Sequence, residues 1–320
     1  MSLRGLVIGL GNVGLDYDLV HDSADYVLTH SNALHIHPYF DLVGGCDIND
    51  VQNVKFYDKY KKPSFSTIKE ALIKTKPDIV CVSVPTKNHY AVINEVFKIA
   101  KPKIILCEKP ISDSLENGIR IKELCDENKC KLFINFMRKS DVGSIEVKKR
   151  IDNGEIISPM KGVCWYSKGL LNNGSHFINL LEFWLGEAES YKIINKGIKD
   201  ISGDSEPDVK INFKHGEIFF LSKKEDLFSF YTMELIASNG RLKYEMNGSV
   251  SWQSKVKDDI FPKYTILDKN KSKIEDQMNY SQYYVLNEIK KNNENKKSVL
   301  CDSKEALRNL DFLNNIIEEI

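Results

Sequence analysis

Three glycines, Gly9, Gly11 and Gly14, stand at G-x-G-x-x-G spacing in "VIGLGNVG", directly behind an apolar run. In a nucleotide-binding turn the first glycine makes the turn and the second lets a pyrophosphate approach bare backbone. The third lets the following helix pack closely, and that helix's N-terminus attracts phosphate charge. The spacing alone is weak, because turns need glycine for backbone reasons. Asp47, in "GGCDIND", is the acid such a site would set against ribose hydroxyls, with Ile48 beside it. It comes later than the usual spacing of roughly 20 residues. The extra length, "YDLVHDSADYVLTHSNALHIHP" at residues 17–38, reads as an enlarged helix or an inserted loop. Asp47 would repel a 2′-phosphate and no arginine follows it, so NAD is favoured over NADP. Two further residues have proton chemistry: Lys109 in "CEKPIS" and His176 in "NNGSHFINLLEFWLG". A lysine beside the cationic ring of an oxidised nicotinamide, and buried, loses its proton more easily, so it can bond to or shuttle a proton at an alcohol under oxidation.

Each of these has a plainer reading. Asp47 could be a strand-end turn residue. Thr86 to His89 in "VPTKNHY" could be a helix N-terminus with Asn88 as its cap. Glu108 and Lys109 could be a solvated pair before a proline turn, and His176 a core histidine on an amphipathic helix.

The elements around these residues favour a shared site. Apolar runs "LVIGL", "FDLVGGCD", "PDIVCVSV", "KIILCE" and "KLFIN" alternate with helical patterns "TIKEALIKTK", "NHYAVINEVFKIAK" and "ISDSLENGIRIKELCDEN". Strand and helix in alternation predict a parallel sheet covered by helices, and runs that are apolar throughout fit strands buried on both faces. The glycine turn, Asp47, "VPTKNH" and "EKP" all fall at strand carboxyl ends, where open α/β sheets bind ligands. From about residue 205 the pattern changes to consecutive β segments, "DVKINFK", "GEIFFLS", "FSFYTMELIAS", "GRLKYEM" and "SVSWQSK". "HG" at 215–216 and "NG" at 239–240 and 247–248 mark hairpins, so an antiparallel sheet is expected, with one face open to a partner subunit. "DSKEALRNLDFLNNIIEEI" closes the chain as a helix with Asp302 at its N-cap and an apolar stripe of Ala306, Leu310, Leu313 and Ile317.

The totals set outer bounds. The 320 residues suffice for two domains, and 45 basic against 45 acidic residues give no electrostatic reason to expect a nucleic-acid or membrane partner. Apolar runs are strand-sized, no leader is read at the start, and the seven scattered cysteines suit buried thiols in a reducing cytoplasm, with no zinc pattern and no metal site expected.

Together these segments resemble the glucose–fructose oxidoreductase / inositol dehydrogenase family, Gfo/Idh/MocA, over essentially the whole chain. "GLGNVG" resembles its cofactor turn, "VSVPTKNHYA" its T/V-P-x-x-x-H segment, "CEKPIS" its E-K-P signature and "NGSHFINLLEFWLG" its second-domain helix; "ELIASNGRL" resembles a common strand there. The resemblance implies α/β architecture: a doubly wound Rossmann domain, 1–136, with the last helix, about 302–319, packed back on it, and a substrate and oligomerisation domain, 137–301, whose large open, mainly antiparallel sheet builds dimers or tetramers. It also implies a Lys109–Pro110 peptide that is often cis.

The activity implied is hydride transfer between NAD and a secondary alcohol or ketone of a sugar, cyclitol or sugar nucleotide. Gly9, Gly11, Asn12, Val13, Gly14, Asp47 and Ile48 would hold the cofactor. Val84, Pro85, Thr86 and His89 would line its nicotinamide side. Glu108 supports, Lys109 contacts the reacting oxygen and His176 exchanges the proton. Arg138, Tyr166, Lys168, Asn172, Asn173 and Asn179 form the candidate substrate set, Arg138 having an interdomain surface charge as its alternative. The family usually has aspartates where this chain has Asn172 and Asn179, so a protonated His176 lacks those carboxylates. Two other readings stand beside the first: glycoside elimination over a retained NAD without net redox, and a sensor that binds NAD or sugar without turnover.

Overall fold

A computed structural model describes residues 2–20, 25–199, 203–224 and 228–320. The chain divides into two units, residues 1–140 with 279–310, and 141–278 with 311–320. The first unit's opening stretch ends at residue 140, where the sequence reading put its boundary at 136. Residues 279–301, expected in the second domain, belong instead to the first unit, and the final helix begins in the first unit and ends in the second.

The first unit is a parallel sheet. Its strands are β1 (Leu3–Ile8), β2 (Phe40–Cys46), β3 (Ser64–Phe65), β4 (Ile79–Val82), β5 (Ile104–Cys107) and β6 (Lys131–Ile134). They lie in the order 6-5-4-1-2-3, and a short antiparallel strand, Cys301–Asp302, closes the edge at β6. Strand order reverses at β1, so β1 and β4 define the switch point beside which such sheets take ligands. The expected apolar runs are the central strands, and Val7, Ile79, Val80, Cys81, Ile105 and Leu106 are fully buried, as helices on both faces require. The connections carry α1 (His30–Ile36), α2 (Asp50–Tyr60), α3 (Ile68–Thr75), α4 (His89–Ile99) and α5 (Leu115–Glu127). Short polar side chains start several of them: Thr29, Asn49, Thr67 and Ser114 each accept from a main-chain N–H of the first turn.

The expected enlargement after the glycine turn has a definite form. One helical turn follows Gly11, with Leu15 N–H donating to Gly11 O at 2.8 Å. In an uninterrupted helix the carbonyl of Val13 would meet the N–H of residue 17. It meets that of His30 at 3.0 Å instead, and Gly14 O takes the N–H of Ser31 at 3.3 Å and its hydroxyl at 2.6 Å. The helix is therefore spliced across residues 17–29, of which 21–24 lie outside the described residues. Taken without that excursion, Asp47 returns to the usual separation of roughly 20 residues from the glycines. Both ends of the excursion are pinned. Asp18 is buried and accepts from Leu28 N, Thr29 N and Thr29 Oγ1 at 2.7–3.0 Å. Val27 N–H donates to Asn279 O at 2.7 Å, beside the start of a later helix of the same unit, Ser281–Asn293.

The second unit is one large mixed sheet. In chain order its strands are β7 (Met160–Tyr166), β8 (Ala188–Asn195), β9 (Asp208–Phe213), β10 (Gly216–Ser222), β11 (Thr232–Ala237), β12 (Gly240–Tyr244), β13 (Val250–Lys257), β14 (Thr265–Leu267) and β15 (Ser272–Ile274). The order is 14-13-12-11-7-10-9-8, with β15 also on β13; every pairing is antiparallel except β7 with β10. One face packs on α6 (Val142–Asp152) and α7 (Ser175–Leu185), through Val147, Phe177, Leu181 and Trp184 against Phe220, Met233 and Tyr244. The opposite face carries Val163, Trp165, Phe219, Leu221, Phe230 and Ile236 around a shallow concavity of about 770 Å³.

Replacing Asp18 with Ala leaves two main-chain donors and a hydroxyl without their charged acceptor. The expected loss is about 2–3 kcal/mol in urea unfolding, since bonds to charged groups contribute more than neutral ones. An unchanged midpoint would show that the excursion is held by other contacts.

Candidate active site

The three glycines do different work. Gly9 sits at φ +93°, and a Cβ there would come within 2.6 Å of the Ser83 carbonyl group, so both backbone angle and space demand glycine. A Cβ on Gly14 would lie 2.0 Å from Gly9 O. Gly11 differs: its φ is ordinary for an L-residue, and a Cβ there would meet nothing within 4 Å. The turn itself does not require glycine at 11. That residue borders a cleft of about 660 Å³, so the bare backbone leaves room for whatever the cleft holds. This fits a pyrophosphate cradle and separates the site from a merely tight turn.

Gly9, Gly11, Asp47, Ile48, Val84 and Pro85, expected together at strand ends, line this one cleft. Asn12, Val13 and Thr86 follow next along the chain. Asp47 is fixed from two sides: Oδ2 accepts from Leu10 N in the glycine turn at 2.7 Å, and Oδ1 from Asn49 N at 2.8 Å. Its charge therefore stays in the cleft wall. Gln52 on α2 donates to Leu10 O and to Asp16, fastening α2 to the turn. Sequence reading missed Ser66, Thr67, Ile68 and Glu95, which also line the cleft. Thr67 carried a signal, "TIKE", a capping pattern whose hydroxyl accepts from Glu70 N at 3.3 Å; β3, two residues long, carried none.

His89 is fully buried. Nε2 bonds to Val84 O at 3.0 Å and Nδ1 to Ile111 O at 3.2 Å. It ties the end of β4 to the segment after Glu108-Lys109-Pro110, and reaches the cleft only through the backbone it holds. Burial keeps its pKa below the ordinary histidine value in spite of the two carbonyls.

The main-chain ladder of β5 continues to Glu108, whose N–H donates to Val82 O at 2.9 Å, and Lys109 comes one residue beyond, half-buried. The Lys109–Pro110 peptide is cis. Burial would push the Glu108 carboxyl up. Hydrogen bonds from His30 at 2.8 Å and Asn135 at 2.6 Å, with the charges of His30 and Lys109, outweigh it and hold the group below the usual carboxylate range. Arg138, in the turn Met137–Ser140 after β6, is buried rather than the surface charge that was its alternative.

In the second unit, His176 stands in the first turn of α7 and is 9% exposed. A π-helical segment, Gly169–Gly174, leads into it. Two carboxylates brace that segment: Asp204 accepts from Asn172 N at 2.8 Å and Glu206 from Gly169 N at 3.1 Å. Gly169 has φ +80°, and a Cβ there would lie 2.0 Å from Asp204, so the brace depends on glycine. Sequence reading missed both acids, which lie more than thirty positions away from what they hold. Asn172 and Lys168 are exposed, Asn173 donates to Ser167 O at 3.0 Å, and Asn179 is buried on α7. Tyr166 corrects an expectation. It was placed in the substrate set, but it is fully buried and its hydroxyl donates to Pro207 O at 2.5 Å, so it is a core residue under the π-helix.

Among the described residues no group of three or more His, Cys, Asp or Glu is placed to hold a metal ion, and no helix is long and apolar enough to cross a membrane.

Residues 3–136 match the profile of the oxidoreductase family with an NAD-binding Rossmann fold, Gfo/Idh/MocA. The match covers the dinucleotide-binding part of the chain, which is similar to the NAD-binding domain of this family. Over 155 residues it is 26% identical to an inositol 2-dehydrogenase of Corynebacterium glutamicum, a stretch covering 48% of this chain and 42% of that one. A second inositol 2-dehydrogenase, from Salmonella typhimurium, is 24% identical over 163 residues, 50% of this chain and 44% of the relative. The match thus spans less than half the length of these relatives. The fold match is longer. The WlbA dehydrogenase of Bordetella pertussis, solved with NADH and UDP-GlcNAcA, superposes with TM-score 0.74 at 15% identity, over 100% of this chain and 97% of that one. An Agrobacterium radiobacter oxidoreductase solved with NAD+, L-tartaric acid and magnesium gives TM-score 0.76 at 11% identity, over 98% and 95%.

Two substitutions separate the roles of the glycines. Gly11→Val should leave thermal stability within about 1 kcal/mol, as at an open site, and weaken dinucleotide binding at least about tenfold. Gly14→Ala should lower stability by roughly 3 kcal/mol, as a backbone clash demands. Calorimetric binding with melting curves reads both; equal losses of stability would mean that Gly11 is only a turn residue.

Proposed function

We propose that this protein is an NAD-dependent oxidoreductase that transfers hydride between the nicotinamide and a secondary alcohol or ketone of a sugar, cyclitol or sugar nucleotide. The observation that carries this is Lys109, held at the carboxyl end of β5 beside a partly buried carboxylate, on the strand next to the one that leads into the Gly11 cleft wall. Inositol dehydrogenases and a sugar-nucleotide dehydrogenase among the relatives support the substrate class.

The bound nicotinamide supplies the hydride acceptor or donor. The chain's residues do the rest. The Gly9–Gly14 turn and Asp47 seat the dinucleotide. Asp47, with Asp50 three residues on and no cation facing it from that turn, repels a 2′-phosphate, which favours NAD over NADP. Lys109 holds or moves the proton at the reacting oxygen, and His176 is the second acid–base group. Asn172, Asn173, Asn179, Arg138 and Lys168 remain the set from which substrate hydroxyls or phosphates are read. All seven cysteines are buried and none is in a disulfide, which supports a reducing, cytoplasmic setting.

The open sheet face is the surface on which a second copy of the chain would sit. Trp165 and Ile236 there are 38% and 48% exposed on a concave, largely apolar face, flanked by the Lys161–Glu217 and Arg241–Glu234 pairs. Apolar faces of this kind are covered in stable proteins.

NADH formation, followed at its absorbance against inositols, aldoses and nucleotide sugars, tests the activity. Lys109→Ala should lower kcat by about 100-fold or more while the Kd for NAD changes less than threefold, the size expected for one proton-transfer group. Silence across the whole panel would end the dehydrogenase reading. Trp165→Glu with Ile236→Lys should convert a dimer or larger assembly to monomer in sedimentation; an unchanged sedimentation coefficient would place the contact elsewhere.

A further inference from the structure

Glu108 is the carboxylate adjacent in sequence to Lys109. Alone, its negative charge would hold the lysine in its ammonium form, the wrong state for taking a proton from an alcohol. The structure gives Glu108 another cation. His30 Nε2 lies 2.8 Å from Oε1, with His30 1% and Glu108 16% exposed. Asn135 Nδ2 donates to the same oxygen at 2.6 Å and to Gln282 Oε1 at 3.0 Å, so Oε1 is gripped from β6 as well as from α1. Burial works against a charged His30 ring, but hydrogen bonds with Cys81 and Glu108 outweigh it and raise its pKa to about 10. The titratable groups around the pair are Cys81 on β4, Cys107 at the end of β5, Lys109 just beyond it and His89 on α4. Burial holds Cys107 and His89 in their neutral forms, so neither cancels the pair. His30 is also the residue whose N–H closes the splice onto Val13 O. One residue therefore joins the dinucleotide turn to the strand end that carries Lys109.

We propose that His30 is a positioning residue of the Lys109 site: as a buried imidazolium it grips Glu108 and offsets that carboxylate's charge at Lys109, so that the lysine gives up its proton more readily. The proposal rests on the dehydrogenase reading for its purpose, but its electrostatic content is measurable without turnover. The probe is acetic anhydride, which acylates only the neutral amine; brief labelling of the folded protein at each pH, followed by peptide mass spectrometry, gives the pH midpoint of Lys109 reactivity. In His30→Gln, which keeps an N–H donor and loses the charge, the midpoint should rise by about one unit, the lower end of the effect of one nearby charge. Adding Glu108→Gln to that variant should return it to the wild-type midpoint or below. In turnover, His30→Gln should lower kcat at neutral pH about tenfold and recover it toward alkaline pH, with the Kd for NAD changed less than threefold. An unchanged Lys109 midpoint in His30→Gln overturns the proposal, as does a loss confined to NAD affinity. Should His30→Gln not fold, Glu108→Gln alone decides: its midpoint should fall or stay level, and a rise would sink the idea. If no substrate is oxidised by the wild type, the dehydrogenase reading fails while the labelling result still judges the role of His30.

Discussion

Two main-chain hydrogen bonds, from His30 to Val13 and from Ser31 to Gly14, fix where the first crossover helix resumes after its excursion. Three properties of the first unit follow. The glycine turn keeps its helical continuation, so its amides remain oriented as in an unbroken crossover. Asp47 arrives at the end of β2 in reach of Leu10 N, although the sequence between them is longer than the fingerprint allows. And His30 enters the sheet's carboxyl end at the height of Glu108. Had the chain rejoined one residue later, the side chain facing Glu108 would have turned by about 100°, the rotation per residue of an α-helix, and Ser31 would stand nearer its place.

The same splice explains how far the sequence could be read. The five long strands of the first sheet were legible because strands buried on both faces must be apolar at every position, and that pattern depends on no distant residue. The strands of the second sheet were legible through alternation and turn residues, again local signals. Asp47 was found by type and by its place after β2, but its late position could not be interpreted, because a looped-out segment and a longer helix have the same length in sequence. α2 and the helix Ser281–Asn293 escaped for a different reason. α2 has exposed apolar residues such as Val51, Val54 and Tyr57 mixed with charged ones and no clean stripe, and nothing local in the later helix says that Gln282 ends beside Asn135.

Residues placed in the site by type fared according to what else their type can do. Tyr166 alternates like any strand residue, and in β7 the alternation turned it inward, where its hydroxyl found Pro207 O. Lys168 escaped that fate because it takes a left-handed conformation, φ 67°, which turns the chain out of the strand and into the π-helix. The two carboxylates that brace this segment, Asp204 and Glu206, bind main-chain N–H groups, and main-chain partners leave no trace in residue type. That brace holds the stretch before His176 independently of which side chain occupies 172, so Asn172 is compatible with a well-formed approach to α7.

The His30–Glu108 pair cannot be understood as a stabilising device alone. Taking two charges out of water costs several kcal/mol per ion, and their attraction restores this only when geometry and further hydrogen bonds are good. Two apolar residues of the same volume would hold α1 against β5 at no such cost. The arrangement makes sense only if the charge distribution itself is wanted at the end of β5, and the residue that follows Glu108 there is the lysine on which the proposed chemistry turns. The surrounding selection of partners agrees. Asn135, itself held by Gln282, bonds Glu108 without carrying charge, so it completes the grip and leaves the balance between the carboxylate and the imidazolium unchanged. A third charged partner would have stiffened the cluster as well, but it would have restored the imbalance that His30 removes.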